Sequence, residues 1–359
     1  MDPKRLETLL AAITRVGASA LHLVPGRNPS LRVKRQFVNG DDTPVLASEI
    51  EEMTRDMLFS DHRARLAAEG QVEVLYVSRN GQRYRATIAE AAGTHSLVLH
   101  PVPAAPQQID ALDLPEQVSL MGRCRSGLVL VAGFFGSGKS TTLAALVEAL
   151  NQDPSRHIVT IEDSIRFIHQ QGAALLHQRE VGRHVASGAD GIRQAMASGV
   201  DAIMVSDLGD AETTEAAIAA AESGCLVFAG IQAASIVGAI TELVSMLPLE
   251  QQPRLRARLS RALRGAIAQS LLHRMHRVGR IPVVEVLIGN PAARTAIRNG
   301  NLQDLPAIMQ RYRGLGMQTT DIALRSLLNR HLVGEDEALL HASNRDEVVP
   351  RGPTPAPAF

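Results

Sequence analysis

The sequence lacks an excess of charge of either sign. Lysine plus arginine and aspartate plus glutamate each number 37 among 359 residues, so the net charge gives no indication of a nucleic-acid partner. Aromatic residues make up only 3%, and tryptophan is absent, which disfavours a surface that stacks on bases. We therefore expect no nucleic acid among the partners of this chain.

Cysteine and long apolar runs are also scarce. Cys124 and Cys225 are far apart and lack metal-ligand spacing, and the twelve histidines show no zinc spacing, so we expect two reduced thiols and no protein-ligated zinc. The sequence contains no run of about 18 apolar residues and no signal-peptide cleavage pattern near its start. These absences predict a cytoplasmic protein without membrane insertion.

Residues 1–104 are predicted to form a small α+β domain. Asn80-Gly81 lies between two alternating stretches and is typical of a β-hairpin. The predicted helices cover roughly 3–16 and 48–59, and the predicted strands cover 71–78, 82–89 and 95–102. The proline-rich stretch that follows has no clean period, so residues 105–118 are interpreted as a linker.

The pattern of apolar residues changes in residues 119–346. Apolar strands at 127–133, 157–163, 201–207 and 225–231 alternate with helices, which predicts a doubly wound α/β domain with a mostly parallel sheet. From about 253 onward we expect helices to dominate. The final stretch, 347–359, contains four prolines without periodicity and is predicted to be a disordered tail.

The stretch "GFFGSGKST" matches the phosphate-binding pattern G-x-x-x-x-G-K-[ST]. An apolar strand precedes it and a helix follows, as the motif requires. Backbone N–H groups of such a loop surround phosphates, the lysine reaches the β/γ oxygens, and the serine holds Mg²⁺. The sequence therefore predicts an ATP and Mg²⁺ site, with Ser140 on the metal. The residues expected to bind the nucleotide are Gly133, Gly136, Ser137, Gly138, Lys139, Ser140 and Thr141.

Several further stretches, in the same order along the chain, resemble the bacterial type II/IV secretion ATPases, and most closely the type IV pilus retraction ATPases. The resemblance covers nearly the whole chain. The stretches that carry it, besides the phosphate loop, are "GASALHLVPG" (17–26), "TIEDSIRFIH" (160–169), "HQREVGR" (177–183), "AAESGCLVFAG" (220–230), "NPAARTAIRNG" (290–300) and "GMQTTDIAL" (316–324).

The resemblance implies an N-terminal PAS-like domain followed by a RecA-like motor domain with C-terminal helices. It implies a ring, commonly a hexamer, made of this chain alone or with a paralogous ATPase. It also implies ATP-driven retraction of pilin, contact with the inner-membrane platform protein at the pilus base, and a cytoplasmic location peripheral to that membrane.

Site residues follow from the same resemblance. Glu162, in the acidic box, is expected near the γ-phosphate. Arg83 and Arg85 match the arginines of the N-terminal domain that approach the nucleotide. Their spacing alone is equally consistent with two exposed residues alternating along a strand.

The chain departs from the family where chemistry is expected. The family's Walker B ending Gly-Glu-Met-Arg-Asp is Ser206 to Asp210 here, so Asp207 replaces the catalytic glutamate and Gly209 replaces an arginine. Gln232 stands at the position of a histidine, and two further family arginines are Ala197 and His100. The acidic box also carries Ser164 for proline and Arg166 for an acidic residue.

Phosphoryl transfer depends on positioning and on cations, so these changes predict a divergent paralogue that keeps ATP binding and hydrolyses slowly. A nucleotide-binding subunit that does not hydrolyse and acts with an active paralogue is the alternative. An ATPase of a different filament or secretion apparatus is a third hypothesis.

Two basic stretches have open interpretations. Residues 251–284 contain eight arginines and no acidic residue, which fits either a solvated helical face or a surface for an acidic partner or neighbouring subunit. The segment 292–299 matches half of the family's retraction-associated motif, at Ala292, Arg294, Ile297 and Arg298.

Overall fold

The computed structural model describes residues 3–33, 36–91, 93–102, 105–276 and 279–349. It separates into two compact units. Unit 1 is Met1–Ala105 with the short segment Ser164–Ile168, and unit 2 is Pro106–Asp163 with His169–Phe359. Among the described residues, no helix combines the length and apolar character needed to cross a bilayer.

Unit 1 contains a six-stranded antiparallel sheet with its own apolar core. Its elements are α1 (Pro3–Val16), β1 (Ala20–Leu23), β2 (Ser30–Val33), β3 (Gln36–Asn39), α2 (Ala47–Met57), α3 (Ser60–Glu69), β4 (Gln71–Val77), β5 (Arg83–Ala91) and β6 (Thr94–Val102). The sheet order is β3-β2-β1-β6-β5-β4. The predicted helix at 3–16 and the hairpin of β4 with β5 around Asn80-Gly81 are confirmed.

Unit 2 contains a seven-stranded sheet whose order is β13-β12-β7-β11-β10-β8-β9. Its first elements are α4 (Glu116–Gly122), β7 (Gly127–Ala132), α5 (Lys139–Leu150), β8 (His157–Glu162), β9 (Leu175–Glu180), α6 (Gly188–Ala197) and β10 (Ala202–Val205). They are followed by α7 (Ala211–Glu222), β11 (Leu226–Ile231), α8 (Ile236–Ser245), α9 (Gln252–Ala262), β12 (Leu263–His273) and β13 (Arg280–Ile288). The chain continues through α10 (Pro291–Asn299), α11 (Leu305–Arg311), α12 (Thr320–Asn329), α13 (Glu335–His341) and α14 (Arg345–Val348).

The sheet of unit 2 is covered on both faces. In β7, Leu128 and Leu130 belong to one apolar cluster while Val129 and Val131 belong to another, as alternation along a strand requires. All pairings of this sheet are parallel except the hairpin of β12 with β13. The predicted doubly wound, mostly parallel sheet is thus confirmed, and its carboxyl edge is where such folds bind ligands.

The prediction that helices dominate from residue 253 is confirmed, since α9 to α14 lie in this region, but it missed two strands. After α9 the chain forms the hairpin of β12 and β13, whose residues are mostly buried and which adds two strands to the edge of the sheet. Continuous apolar runs do not distinguish a buried strand from a buried helix, so periodicity alone misassigned this segment.

Regular structure is found in the predicted linker, 105–118, and at the start of the predicted disordered tail, 347–359. Within 105–118, Ile109 to Ala111 form a single 3₁₀ turn, Ile109 packs in the core of unit 2, and α4 begins at Glu116. At the other end, helix α14 contains Glu347 and Val348, and Val348 is buried. Residues 350–359 of the predicted tail lie outside the described residues.

Candidate nucleotide site

The phosphate loop connects β7 to α5 and has the backbone that its glycines allow. Gly136 and Gly138 have φ of +82° and +90°, a region that L side chains rarely adopt. At Gly133 a Cβ would lie 2.2 Å from the Ser137 Oγ, so only glycine fits there. The loop therefore has the tight turn that the sequence motif predicts.

The beginning of α5 suits an anion. Gly138 is the N-cap and has no side chain that could cap the first turn, so the positive end of the helix carries no side-chain cap in the place where an anion would bind. The Ser137 Oγ is buried and finds no partner among the described residues. Both observations fit a phosphate group bound at this loop.

Lys139 is paired with the aspartate at the Walker B position. Its Nζ lies 3.0 Å from Oδ1 of Asp207, and the pair is mostly buried. The Gln232 Nε2 donates a long 3.5 Å hydrogen bond to the other oxygen, Oδ2. The structure therefore brings together three residues that the sequence predicted for one site, and Asp207 is shared by a lysine and an amide.

Glu162 ends β8 beside the end of β10. The two strands pair in parallel with Ile161 opposite Val205, so Glu162 and Ser206 are next to each other at the carboxyl edge of the sheet. The Thr160 Oγ1 donates to Oε1 of Glu162 at 2.7 Å, and the Gln178 Nε2 donates to the same oxygen at 3.1 Å. The adjacent Asp163 N–H donates to the Ser206 Oγ at 3.1 Å.

Close backbone packing fixes the strand end that carries Asp207. The Leu208 N–H donates to the Gly230 carbonyl at 2.8 Å, which extends the pairing of β10 with β11 past their last paired residues. A Cβ at Gly230 would lie 2.1 Å from the Ser206 carbonyl oxygen, so the two backbones meet directly.

We expect Gly230→Ala to lower the free energy of unfolding by about 1–3 kcal/mol, because the new methyl group has no room against the Ser206 backbone. Gly314→Ala is the matched control, since a Cβ there meets nothing within 4 Å. Urea unfolding followed by circular dichroism measures both. Equal stability of the two variants would contradict this account of the strand end.

Gln269 was missed by the sequence analysis. It lies on β12, is buried, and its Nε2 donates to the Ser137 carbonyl at 2.9 Å while its Oε1 accepts from the Thr142 Oγ1 at 2.9 Å. One amide thus joins the phosphate loop to α5. A buried glutamine in an apolar stretch gave no motif signal, and β12 itself was not predicted.

A pocket of about 320 Å³ opens beside Gly138 and Thr141. Its volume is at the lower end of the usual range for small-molecule sites. The other lining residues come from the stretch before α4 and from the β12–β13 hairpin, and they include Leu112, Arg274 and Arg280. The Arg280 Nη1 also donates to the Gly136 carbonyl at 3.2 Å. Because the pocket borders the loop at Gly138 and Thr141, it is the candidate site for the base or ribose of a nucleotide whose phosphates would lie on the loop.

A larger cavity of about 860 Å³ lies against Phe134 to Ser137. Lys139, Asp207 and Glu162 do not line it. Its buried carboxylate, Glu285, accepts from the Ile236 N–H at 2.8 Å, and burial raises the pKa of Glu285. The larger volume is therefore separate from the residues that the motifs predict for catalysis.

The donor set around the loop fits Mg²⁺. Among the described residues, no group of three or more His, Cys, Asp or Glu side chains could hold a metal by itself. Mg²⁺ in nucleotide sites takes only one or two protein oxygens and the phosphates. The Ser140 hydroxyl in the first turn of α5 and the carboxylate of Asp207 are oxygens of that kind.

Comparison with known proteins identifies the family. Residues 108–280 match the family model "Type II/IV secretion system protein". The type IV pilus retraction ATPase PilT of Pseudomonas aeruginosa is 32% identical over 330 residues, covering 92% of this chain and 96% of that protein. The chain belongs to the PilT-like family of type II/IV secretion ATPases. This confirms the resemblance found in the sequence.

A second relative and a solved structure agree with this family assignment. A twitching motility protein of Neisseria gonorrhoeae is 30% identical and covers 89% of this chain and 86% of that protein. The crystal structure of the pilus retraction motor PilT with bound ADP has a TM-score of 0.84 at 33% identity, with 94% of this chain and 97% of that chain covered. The PilT-like α/β architecture is therefore shown for nearly the whole chain.

Several departures from the PilT-like pattern lie in unit 2. Gly209 follows Asp207 closely, and a Cβ there would lie 3.5 Å from Oδ2 of Asp207, in ordinary contact. A longer side chain at 209 would therefore start beside that carboxylate. Ala197 ends α6. Asp210 is the N-cap of α7, where its carboxylate accepts from the Thr213 N–H and hydroxyl.

The predicted arginines of unit 1 lie on β5. Arg83 and Arg85 are half-buried on one face of the strand. The Arg85 Nε lies 3.3 Å from Oε2 of Glu73, while burial and the charge of Arg166 lower the pKa of Arg85. His100, opposite Arg85 in the sheet, has its Nδ1 3.0 Å from the Ser19 carbonyl. The approach of Arg83 and Arg85 to a nucleotide stays a prediction.

Several arginines of the basic stretch, residues 251–284, make ion pairs or hydrogen bonds within unit 2. Arg258 and Arg261 both pair with Glu222 on α7, at 2.8 and 3.0 Å. The Arg264 Nε donates to the Ser126 carbonyl at 2.9 Å. These contacts favour a packing role for this part of the stretch, and they leave Arg254 exposed on α9.

Proposed function

We propose that this chain is a ring-forming subunit that binds Mg-ATP and acts as a motor ATPase of type IV pilus retraction, twitching motility or a related secretion machinery, with weakened hydrolysis. The observation that carries the proposal is the pairing of Lys139 with Asp207 at 3.0 Å, on a phosphate loop whose helix has an uncapped amino end. The names of its relatives, a retraction ATPase and a twitching motility protein, support the choice of machinery.

Each site residue has a role in this proposal. The loop N–H groups and Lys139 bind the phosphates, which requires Lys139 to leave Asp207 or to share it. Mg²⁺ bound at this site would supply positive charge against the phosphate oxygens. Ser140 would contribute a ligand to it, while Glu162 and Asp207 would orient the attacking water.

Weak hydrolysis follows from what surrounds Asp207. An aspartate is one methylene shorter than the family's glutamate, and a carboxylate misplaced by about 1 Å can lose about 10²-fold in rate. Gly209 and Gln232 supply no positive charge where the family has an arginine and a histidine. Loss of a cation that stabilises the transition state can cost on the order of 10³-fold.

We also propose the finer organisation implied by the family. Residues 1–104 would be a PAS-like domain, 105–118 the connection, and 119–346 a RecA-like motor domain. Arg83 and Arg85 would approach the nucleotide, and the ring would work at the cytoplasmic face of the inner membrane with the platform protein of the pilus base.

A nucleotide-binding subunit that does no chemistry is the second candidate. The specific observation in its favour is that Asp207 is held by both Lys139 and Gln232. Such a subunit would join the ring of an active paralogue and respond to ATP by binding alone. Release of phosphate by the purified ring, above that of a Lys139→Ala ring, distinguishes the motor from this alternative.

We expect Mg-ATP to drive assembly into a closed ring. Light scattering with ATP present should give a mass several times that of the subunit, for this chain alone or mixed with a paralogue. Lys139→Ala, which removes the phosphate-binding amine, should not respond to ATP. A subunit that stays monomeric with nucleotide and paralogue both present would contradict the ring.

A further inference from the structure

A chain of polar groups, buried except for the half-buried Gln178, runs from α5 to the acidic box. We propose that Gln178, together with Thr160, is a positioning residue that fixes the carboxylate of Glu162 for its work at the Mg-ATP end of the site. The inference rests on the proposed function, because that function places Glu162 near the terminal phosphate.

Strand register creates the contact. In the parallel pair of β8 and β9, Thr160 lies opposite Gln178. Glu162 is two residues further along β8, so its side chain projects on the same face as Thr160. Both neighbours donate to one carboxylate oxygen, Oε1, at 2.7 and 3.1 Å. Thr160 is fully buried and Glu162 is only 6% exposed, so these hydrogen bonds form in a largely dehydrated place.

The amide of Gln178 has one possible orientation. Its Oε1 accepts from the His169 N–H at 3.0 Å, so its NH₂ group must point to Glu162. His169 in turn contacts Glu148 through Nδ1 and Oε2 at 2.8 Å. Burial lowers the pKa of His169, against the opposite effect of Glu148, so a neutral imidazole with a proton on Nδ1 suits this contact.

The chain of contacts connects the far part of α5, nine residues after Lys139, to the acidic box. Glu148 lies on α5, the helix that begins with Lys139, and Glu162 lies at the edge of the sheet beside Ser206. The helix that binds the phosphates and the carboxylate of the acidic box are thus connected through Glu148, His169 and Gln178. A glutamate has three rotatable bonds, so its carboxylate needs such partners to stay in one place.

The position of the Glu162 carboxylate matters because it and the γ-phosphate are both anions, which repel each other at short range. A carboxylate approaches the γ-phosphate only with a cation or a water molecule between them. Glu162 held in place would be available to the ligand shell of Mg²⁺, directly or through a water molecule, so the affinity gained from Mg²⁺ would depend on its position. Misplacing Glu162 should therefore weaken ATP binding when Mg²⁺ is present and leave binding without Mg²⁺ unchanged.

The experiment measures the Kd of a fluorescent ATP analogue in Mg²⁺ and in EDTA for Gln178→Leu and Thr160→Val. The affinity gained from Mg²⁺ is the ratio of the Kd in EDTA to the Kd in Mg²⁺. We expect this ratio to fall about tenfold in each variant, which is the effect of losing one hydrogen bond to a charged group. Neither should change the Kd in EDTA. Thr160→Ser, which keeps the hydroxyl, should stay near the unmodified value. Gln170→Leu, at an exposed glutamine, is the matched control.

A second arm repeats the measurement with Glu162→Gln. If Gln178 acts only through Glu162, Gln178→Leu adds nothing in that background. An effect that persists there, or that is equal in Mg²⁺ and EDTA, would overturn the positioning role. Mg²⁺-dependent binding that Gln178→Leu leaves intact would overturn it while the proposed function stands. Absence of Mg²⁺-dependent binding by the unmodified chain would remove the proposed function and this role with it.

Discussion

Replacing Lys139 with alanine is expected to weaken ATP binding by at least about 100-fold, the scale of removing a charged partner from a dehydrated site. The amine is a cation of the phosphate loop itself, and its loss also leaves the Asp207 carboxylate without its ion-pair partner where the phosphates would bind. Titration of a fluorescent ATP analogue measures the change. Lys4→Ala is the matched control, because it removes the same side chain from unit 1.

Chemical labelling gives an independent check. The chain has lysine only at positions 4, 34 and 139, so an acyl-phosphate derivative of ATP should modify one of three possible residues. We expect mass spectrometry to find the label on Lys139 and excess ATP to prevent it. Unchanged affinity of Lys139→Ala, or labelling unaffected by ATP, would contradict the nucleotide site.

Restoring the family's residues around Asp207 is expected to raise kcat by at least about tenfold. The change is Asp207→Glu with Gly209→Arg and Gln232→His. The gain should fall on kcat, while nucleotide affinity moves little, because the restored groups act mainly on the transition state. Space is available at position 209, since a Cβ there makes only ordinary contact with Asp207.

The single changes are the controls for this repair. Asp207→Glu alone should help little, because Gly209 and Gln232 still leave the site without the family's arginine and histidine. Phosphate release at saturating ATP measures each variant. A correctly assembled triple variant that hydrolyses no faster than the unmodified chain would defeat the assignment of these three positions.

The phosphate loop and the strand end at Asp207 could be predicted from the sequence because their signals are local. The glycines of the loop, Lys139 and the strand ending at Asp207 are each defined by a few adjacent residues, and the structure joins Lys139, Asp207 and Gln232. Parallel strands place their carboxyl ends at one edge, so the position of Glu162 beside Ser206 also follows from the order of strands.

Contacts between distant segments could not be predicted in this way. Gln269 contacts Thr142 on α5 across 127 positions of sequence, and its strand was taken for part of a helical region. Gln178 was seen only as part of a family stretch, since its contact with Glu162 depends on the register of β8 with β9. The packing of Arg258 and Arg261 on Glu222 likewise needs the helix contacts of α7 with α9.

The most direct test of the central claim measures nucleotide binding and phosphate release on the same preparation of the unmodified, assembled chain. The account predicts saturable Mg-ATP binding that Lys139→Ala abolishes, with phosphate release below about 0.1 per second per subunit, well under the roughly 1–10³ per second of typical enzymes. Tight binding with brisk hydrolysis would contradict the weakened site, and no binding at all would contradict the function.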